Sequence, residues 1–295
     1  MKKRLFTLTA VLLAVFIAGC SKTPDEELTE KIPAAANGLC LIDGNSITQT
    51  QLYKEHQADI LKELKEASLP EDLLQCRVLF FGSTKEEWGG ALMQSAGGQV
   101  RKFYDKVLAE SKKDKSCKEL KETAEGSLRK VTCTVEGKKI LAVLYHDNLL
   151  LIAVDKTDPA FFQAKPVNPL VGEIALKETL VSAAVKVELP PPGRNREVDG
   201  AVQMFPALKK LRSIAMNVPF SPDKPEMDFR AVFRDDAGAN EMLAAINMGL
   251  GLLTQSDDKD IVKAVGMIDR KAEKNTVRVS FPLTELVKEA EKKLK

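Results

Sequence analysis

Two apolar runs, residues 140–145 and 149–154, stand on either side of Asp147-Asn148. Neither run alternates with polar residues, so neither strand can keep one face in water. Asp147-Asn148 suits a two-residue hairpin turn. A hairpin apolar on both faces is expected to be covered on both, and to centre the first core of the fold. The run before it is different. Val131, Cys133 and Val135 alternate with Thr132 and Thr134, which gives a strand with one wet face, and Glu136-Gly137 turns it into the hairpin. The three strands make a meander.

The segments ahead of this meander mix periods. Residues 38–42 read as a short strand followed by a turn at Asp43-Gly44-Asn45. Residues 46–66 read as a helix with Ile60, Leu61 and Leu64 on one side, stopped near Pro70. Residues 76–81 read as a strand. Trp88, Leu92, Ala96, Val100, Phe103 and Val107 then step by three or four, which predicts one long helix. Ser83 with Glu86, or Thr84 with Glu87, would form its capping box. Gly97-Gly98 would interrupt it at a cost of about 1 kcal/mol per glycine. Residues 112–125, rich in Lys and Glu, read as a solvated connection carrying Cys117.

Pro159, Pro166 and Pro169 mark a boundary between lobes. Beyond it, residues 175–189 read as a strand ended by Pro190-Pro191-Pro192-Gly193. A short helix over 198–211 and strands over 214–218 and 228–234 follow. In the last of these Phe229, Ala231 and Phe233 face one way, and Arg230 and Arg234 the other. Residues 237–254 read as a helix apolar nearly all round, hence buried. A strand at 277–281 and an amphipathic helix on Leu283, Leu286, Val287, Ala290 and Leu294 close the chain. Leu69-Pro70 before one strand and Phe205-Pro206 before another suggest a distant internal repeat. The expected class is α+β: two mixed lobes, 38–165 and 170–295, of mainly antiparallel sheet packed with amphipathic helices.

The chain begins Met1-Lys2-Lys3-Arg4, continues through an apolar stretch to Ile17, and reaches Cys20 after two small residues. Thirteen apolar positions reach only about 20 Å as a helix, short of the ~30 Å of a bilayer core, so this is a signal segment and not a span. Ile17-Ala18-Gly19-Cys20 resembles the lipobox of bacterial lipoproteins. The resemblance covers the signal alone. It implies cleavage before Cys20, thioether lipidation of Cys20 and acylation of its new amino group, which together hold the chain on a membrane. Ser21 after the lipidated cysteine favours the outer membrane, with the folded part in the periplasm. Beyond the anchor the chain resembles uncharacterised α+β envelope lipoproteins. Residues 20–37, polar and carrying Pro24 and Pro33, read as a tether.

Loss of Lys2, Lys3 and Arg4 takes the formal charge from +2 to about −1. Near-neutrality without basic clusters argues against nucleic-acid binding. Four cysteines remain in an exported chain, Cys40, Cys76, Cys117 and Cys133, and two disulfides are expected. Near pairs close without rethreading, which favours Cys117–Cys133 with Cys40–Cys76. A four-thiolate metal site lacks any Cys-x-x-Cys.

Catalytic constellations are hard to assemble. His56, near Asp59 on the first helix, lacks a third metal ligand, and His146 sits at the hairpin turn. There is no Gly-x-Ser-x-Gly elbow. Gly249 and Gly251 are spaced as Gly-x-Gly but lie inside a helical pattern. Residues 256–260 are acidic without calcium-loop spacing and suit a helix N-cap. No catalytic residue, metal or cofactor is expected. The expected function is a membrane-anchored, non-enzymatic binding or scaffolding protein of the envelope. The alternative is a carrier or sensor of an apolar ligand, with Met242, Met248 and Met267 near the apolar helix. A carboxylate-dependent hydrolase ranks third.

Overall fold

The computed structural model describes residues 23–66, 71–163, 166–220 and 226–282. Twelve strands form one antiparallel sheet: β1 (Gly38–Asp43), β2 (Arg77–Ser83), β3 (Trp88–Gln94), β4 (Cys117–Glu125), β5 (Leu128–Val135), β6 (Lys138–His146), β7 (Leu149–Val154), β8 (Thr179–Lys186), β9 (Leu211–Pro219), β10 (Glu226–Phe233), β11 (Asp269–Glu273) and β12 (Thr276–Pro282). Their spatial order is β11-β12-β10-β9-β8-β1-β2-β3-β7-β6-β5-β4. The helices are α1 (Pro24–Thr29), α2 (Gly44–Ile47), α3 (Gln51–Glu66), α4 (Gln99–Ser111), α5 (Arg196–Met204), α6 (Asp236–Leu253) and α7 (Lys259–Gly266).

The class is α+β. The two lobes do not carry separate sheets, however. β1 and β8 pair from Gly38↔Val185 to Ile42↔Val181 and fuse both halves. Each half runs through the same succession: a strand, a helical connection ending in a 3-10 turn, an antiparallel pair, a long helix and a return to the third strand. Thus β7 lies beside β3, and β12 beside β10. The 3-10 turn Glu71–Gln75 precedes β2 as Pro206–Lys210 precedes β9. The first half inserts one extra hairpin arm, β4 and β5.

Residues directly opposite in an antiparallel ladder share a face. One row can be followed across all twelve strands: Glu122, Val131, Ala142, Ile152, Ala91 and Phe80, then Cys40, Ala183, Met216, Phe229, Val279 and Arg270. We call this the helical face, because α4 packs over β6 and β7 and α6 over β10 to β12 on it. Leu39, Leu41, Leu79, Trp88, Leu92, Leu141 and Leu151 point to the opposite face and form the main core.

Irregular segments cover that core. Leu28, Ile32 and Ala36 come from the N-terminal segment, and Phe162, Leu170 and Ile174 from the stretch between the halves. The predicted tether is therefore corrected from Thr23 onward. Thr23 caps α1 in a reciprocal capping box with Glu26, Pro24 opens it, and Leu28, Ile32 and Ala36 recur at every fourth residue into the core. Asn168, almost fully buried, ties the two covering segments together. Its Nδ2 donates to the carbonyls of Pro33 and Ala36 at 2.8 Å, and its Oδ1 accepts from the Leu170 N–H at 2.9 Å.

Three further expectations are corrected. The long helix predicted from Trp88 is a strand, β3, and then a helix, α4. Trp88 and Leu92 fit a two-residue period as well as a four-residue one, and Gly98, at φ 74°, turns the chain between the elements. Ser83 Oγ accepts from the Glu86 N–H, but in the β2–β3 turn and not at a helix start. The solvated connection is edge strand β4, whose alternating charge protects an unpaired ladder. Helix α6 is not buried all round: Met248 and Leu252 are each 65% exposed. The helix cap expected at 256–260 forms, with Asp258 accepting from the Ile261 N–H, and Asp235 likewise caps α6 by accepting from the Gly238 N–H. Cys20, Leu69-Pro70 and the predicted helix beyond residue 282 lie outside the described residues.

Candidate functional site: an apolar trough between two helices

Among the described residues, no long helix packs over the strands between α4 and α6. Five strands, β3, β2, β1, β8 and β9, at about 4.8 Å each leave roughly 20–25 Å of sheet, wider than the ~10 Å of a helix. The result is a trough of about 610 Å³. Its floor is Phe80 of β2, Cys40 and Gly38 of β1, Ala183 and Val185 of β8, and Ile214 and Met216 of β9. Phe80 and Val185 are each 46% exposed and Ile214 41%. Gly38, Gly82 and Gly89 leave one end without side chains, since they sit on this face in register with Val185 and with one another.

The chemistry of this floor is simple. Cys40 supplies its one polar side-chain atom, and burial pushes that thiol's pKa up, so it stays protonated. The backbone groups of β1, β2, β8 and β9 are held in ladders on both sides. Nothing on the floor can therefore orient a polar guest.

The four cysteines divide. Cys40 lies in the trough. Cys76 is buried against α4, donates to the Asp72 carbonyl at 3.5 Å, and is pushed up to about 11 by burial and then by Asp72. Cys40 stands opposite Phe80, four residues along β2 from Cys76, or roughly 13 Å. A disulfide needs Cα atoms within about 7 Å, so the predicted Cys40–Cys76 pair is ruled out in this fold. Cys117 and Cys133 are cross-strand diagonal neighbours on β4 and β5, and Cys117 helps burial to raise the Cys133 thiol's pKa. All four are thiols in the structure.

His146 and His56 remain separate features. His146 Nε2 lies 3.3 Å from Glu27 Oε2, and its Nδ1 accepts from the Asn148 N–H. His56 sits at a kink in α3, with φ −113°. Among the described residues no group of three His, Cys, Asp or Glu side chains is arranged to hold a metal ion. Among them, too, no helix is long and apolar enough to cross a membrane. Sequence reasoning missed Phe80, Val185 and Ile214 as a site. Their strands are rich in apolar residues, which predicts burial, and only the spacing of the two helices leaves them open.

No protein-family model matches the chain, and no curated protein matches it in sequence. Among solved structures it is similar to TP0453 in crystal form I, at TM-score 0.45 and 9% identity over 90% of this chain and 93% of that one. Crystal forms III and IV of TP0453 give 0.43 and 0.44 at 8% identity, covering 89% and 90% of this chain and 94% and 98% of theirs. At that level the likeness assigns neither a family nor an activity.

Proposed function

We propose that this chain is a lipid-anchored, non-enzymatic protein of the bacterial envelope that binds the aliphatic chain of an amphiphile in the trough between α4 and α6. The anchor rests on the lipobox-like Ile17-Ala18-Gly19-Cys20, with Ser21 favouring the outer membrane. The binding reading rests on one observation: the trough floor is apolar and its backbone is already hydrogen-bonded. A protein partner typically makes about one hydrogen bond per 100–200 Å² of interface, and this floor offers none. An acyl chain requires none and gains about 0.8 kcal/mol per methylene buried. The volume lies within the roughly 300–1,000 Å³ of small-molecule sites.

The test uses the unlipidated full mature chain, Cys20→Ala, and a fluorescent long-chain fatty acid. Saturable binding that is lost in Ile214→Glu supports the reading. Binding unchanged by Ile214→Glu, or none at all, overturns it. For the anchor, Cys20→Ala should abolish fatty-acid labelling and release the protein from membranes.

A protein contact is supported at a different place. Met248 and Leu252 on α6, with Met204 at the end of α5, 72% exposed, form an outward apolar ridge beside a groove lined by Phe205, Ala244 and Ala245. Such a ridge suits an envelope partner.

A further inference from the structure

The edge hairpin carries a feature that the trough does not use. β4 is the outermost strand, and its ladder with β5 is irregular. Cys117 faces Val135 and Lys118 faces Thr134, but the next pair is Lys121 with Thr132. One extra residue is therefore accommodated on β4. Glu119 takes φ 56° there, so Glu119 and Leu120 together oppose Cys133. Cys117 and Cys133 are diagonal neighbours on one face, close enough that Cys117 helps to raise the pKa of the Cys133 thiol. Cys133 is buried and Cys117 half-exposed.

We infer that Cys117 and Cys133 are a redox pair that closes into a disulfide stapling edge strand β4 to β5, while Cys40 and Cys76 stay thiols. The order follows from access. Cys117 thiolate attacks one sulfur of a disulfide oxidant, and the oxidant's other sulfur leaves as a thiolate. Cys133, once deprotonated, then attacks Cys117 in the mixed disulfide. The S–S bond forms, and the oxidant's second sulfur leaves. Two S–H bonds are lost, one S–S bond is gained, and the oxidant carries away two electrons and two protons as a dithiol.

The staple acts on the part of the sheet that most needs it. β4 has a neighbour on one side only, and its side chains are almost all exposed. A bulge near its start weakens the ladder further. Closing the loop from Cys117 to Cys133 encloses β4, its turn at Gly126 and most of β5, so the edge cannot peel away to pair with another chain.

The test takes the full mature chain, reduces it, oxidises it with oxidised glutathione, alkylates it and maps the digest without reduction. The expected result is one linked peptide pair containing Cys117 and Cys133, about 2 Da lighter than its parts, with Cys40 and Cys76 carrying the alkyl group. In Cys133→Ser a glutathione adduct should accumulate on Cys117. In Cys117→Ser the adduct on Cys133 should form at least about tenfold more slowly. Amide exchange over 117–125 should slow on oxidation of the wild type. Four alkylated cysteines after oxidation, or a bridge that includes Cys40 or Cys76, would overturn the pairing. Equal adduct rates in the two variants would overturn the order.

Discussion

Arg77 at the start of β2 holds Asp25 of α1 at 2.7 Å, across a gap of fifty-two residues in sequence. The same guanidinium reaches the Leu176 carbonyl and, at 3.4 Å, Gln94 Oε1, and Asp43 lies 3.7 Å from its Nε. One side chain thus joins α1, β1, β3 and the segment between the halves. It stands at the place where both covering segments cross the end of the sheet.

Replacing Arg77 by Met keeps most of the packing, leaves the Leu176 carbonyl without its partner, and leaves Asp25 with the more distant Lys177, 3.8 Å away. Breaking one side of such a pair costs about 3–5 kcal/mol when fully buried. Both side chains are about one-sixth exposed, so the expected loss is nearer 2–3 kcal/mol. Urea denaturation measures it. Asp25→Asn should lose less than Arg77→Met, because Arg77 keeps its other acceptors. Equal losses would show that Asp25 is the sole partner that counts.

Asn168 gives a second prediction. Asn168→Ala removes two donors and one acceptor, strands the Ala36 carbonyl away from water, and leaves the Pro33 carbonyl with the Ala36 N–H alone. Each unsatisfied buried group costs about 1–3 kcal/mol. The expected loss is about 2–4 kcal/mol, with earlier proteolysis of residues 30–37 than of the sheet. A loss below about 1 kcal/mol would mean that water reaches those carbonyls.

Much of this architecture was legible in the chain. The doubly apolar hairpin 140–154 does have both faces covered, by Phe162 and its neighbours on one side and by α4 on the other, and β5 and β4 separate it from the sheet edge. The repeat was visible at Phe205-Pro206. The covering segments were misread because a period of four in Leu28, Ile32 and Ala36 is diluted by Asp, Glu and Lys. Trp88 and Leu92 were misread because a spacing of four belongs to both helix and strand. The trough was not legible at all. Apolar alternation tells which side chains want cover, but the cover is set by where α4 and α6 land, and that depends on strand order.

Burial separates the thiols by reactivity. In the reduced protein, burial and contact with Cys117 push Cys133 up to about 11, and burial with Asp72 does the same for Cys76. The thiolate is the reactive form, and it is scarce below the pKa. Alkylation of Cys76 and Cys133 by iodoacetamide should therefore rise steeply between pH 9 and about 11. The linkage has the same sign. A thiol whose folded pKa is raised above 9.0 adds stability in full below that value, and the addition is lost as pH climbs through about 11. A flat alkylation profile would show both sulfurs open to solvent.

The trough makes the sharpest separation between stability and binding. Phe80, Val185 and Ile214 are exposed enough that a glutamate at 80 or 214 can reach water, so each change should alter stability by no more than about 1 kcal/mol. With an acyl chain over the floor the same carboxylate is buried beside methylenes and must be desolvated, which costs several kcal/mol. Binding of a fluorescent fatty acid should therefore fall by at least about tenfold in Phe80→Glu and Ile214→Glu. If the two glutamates leave the affinity intact, the chain binds elsewhere.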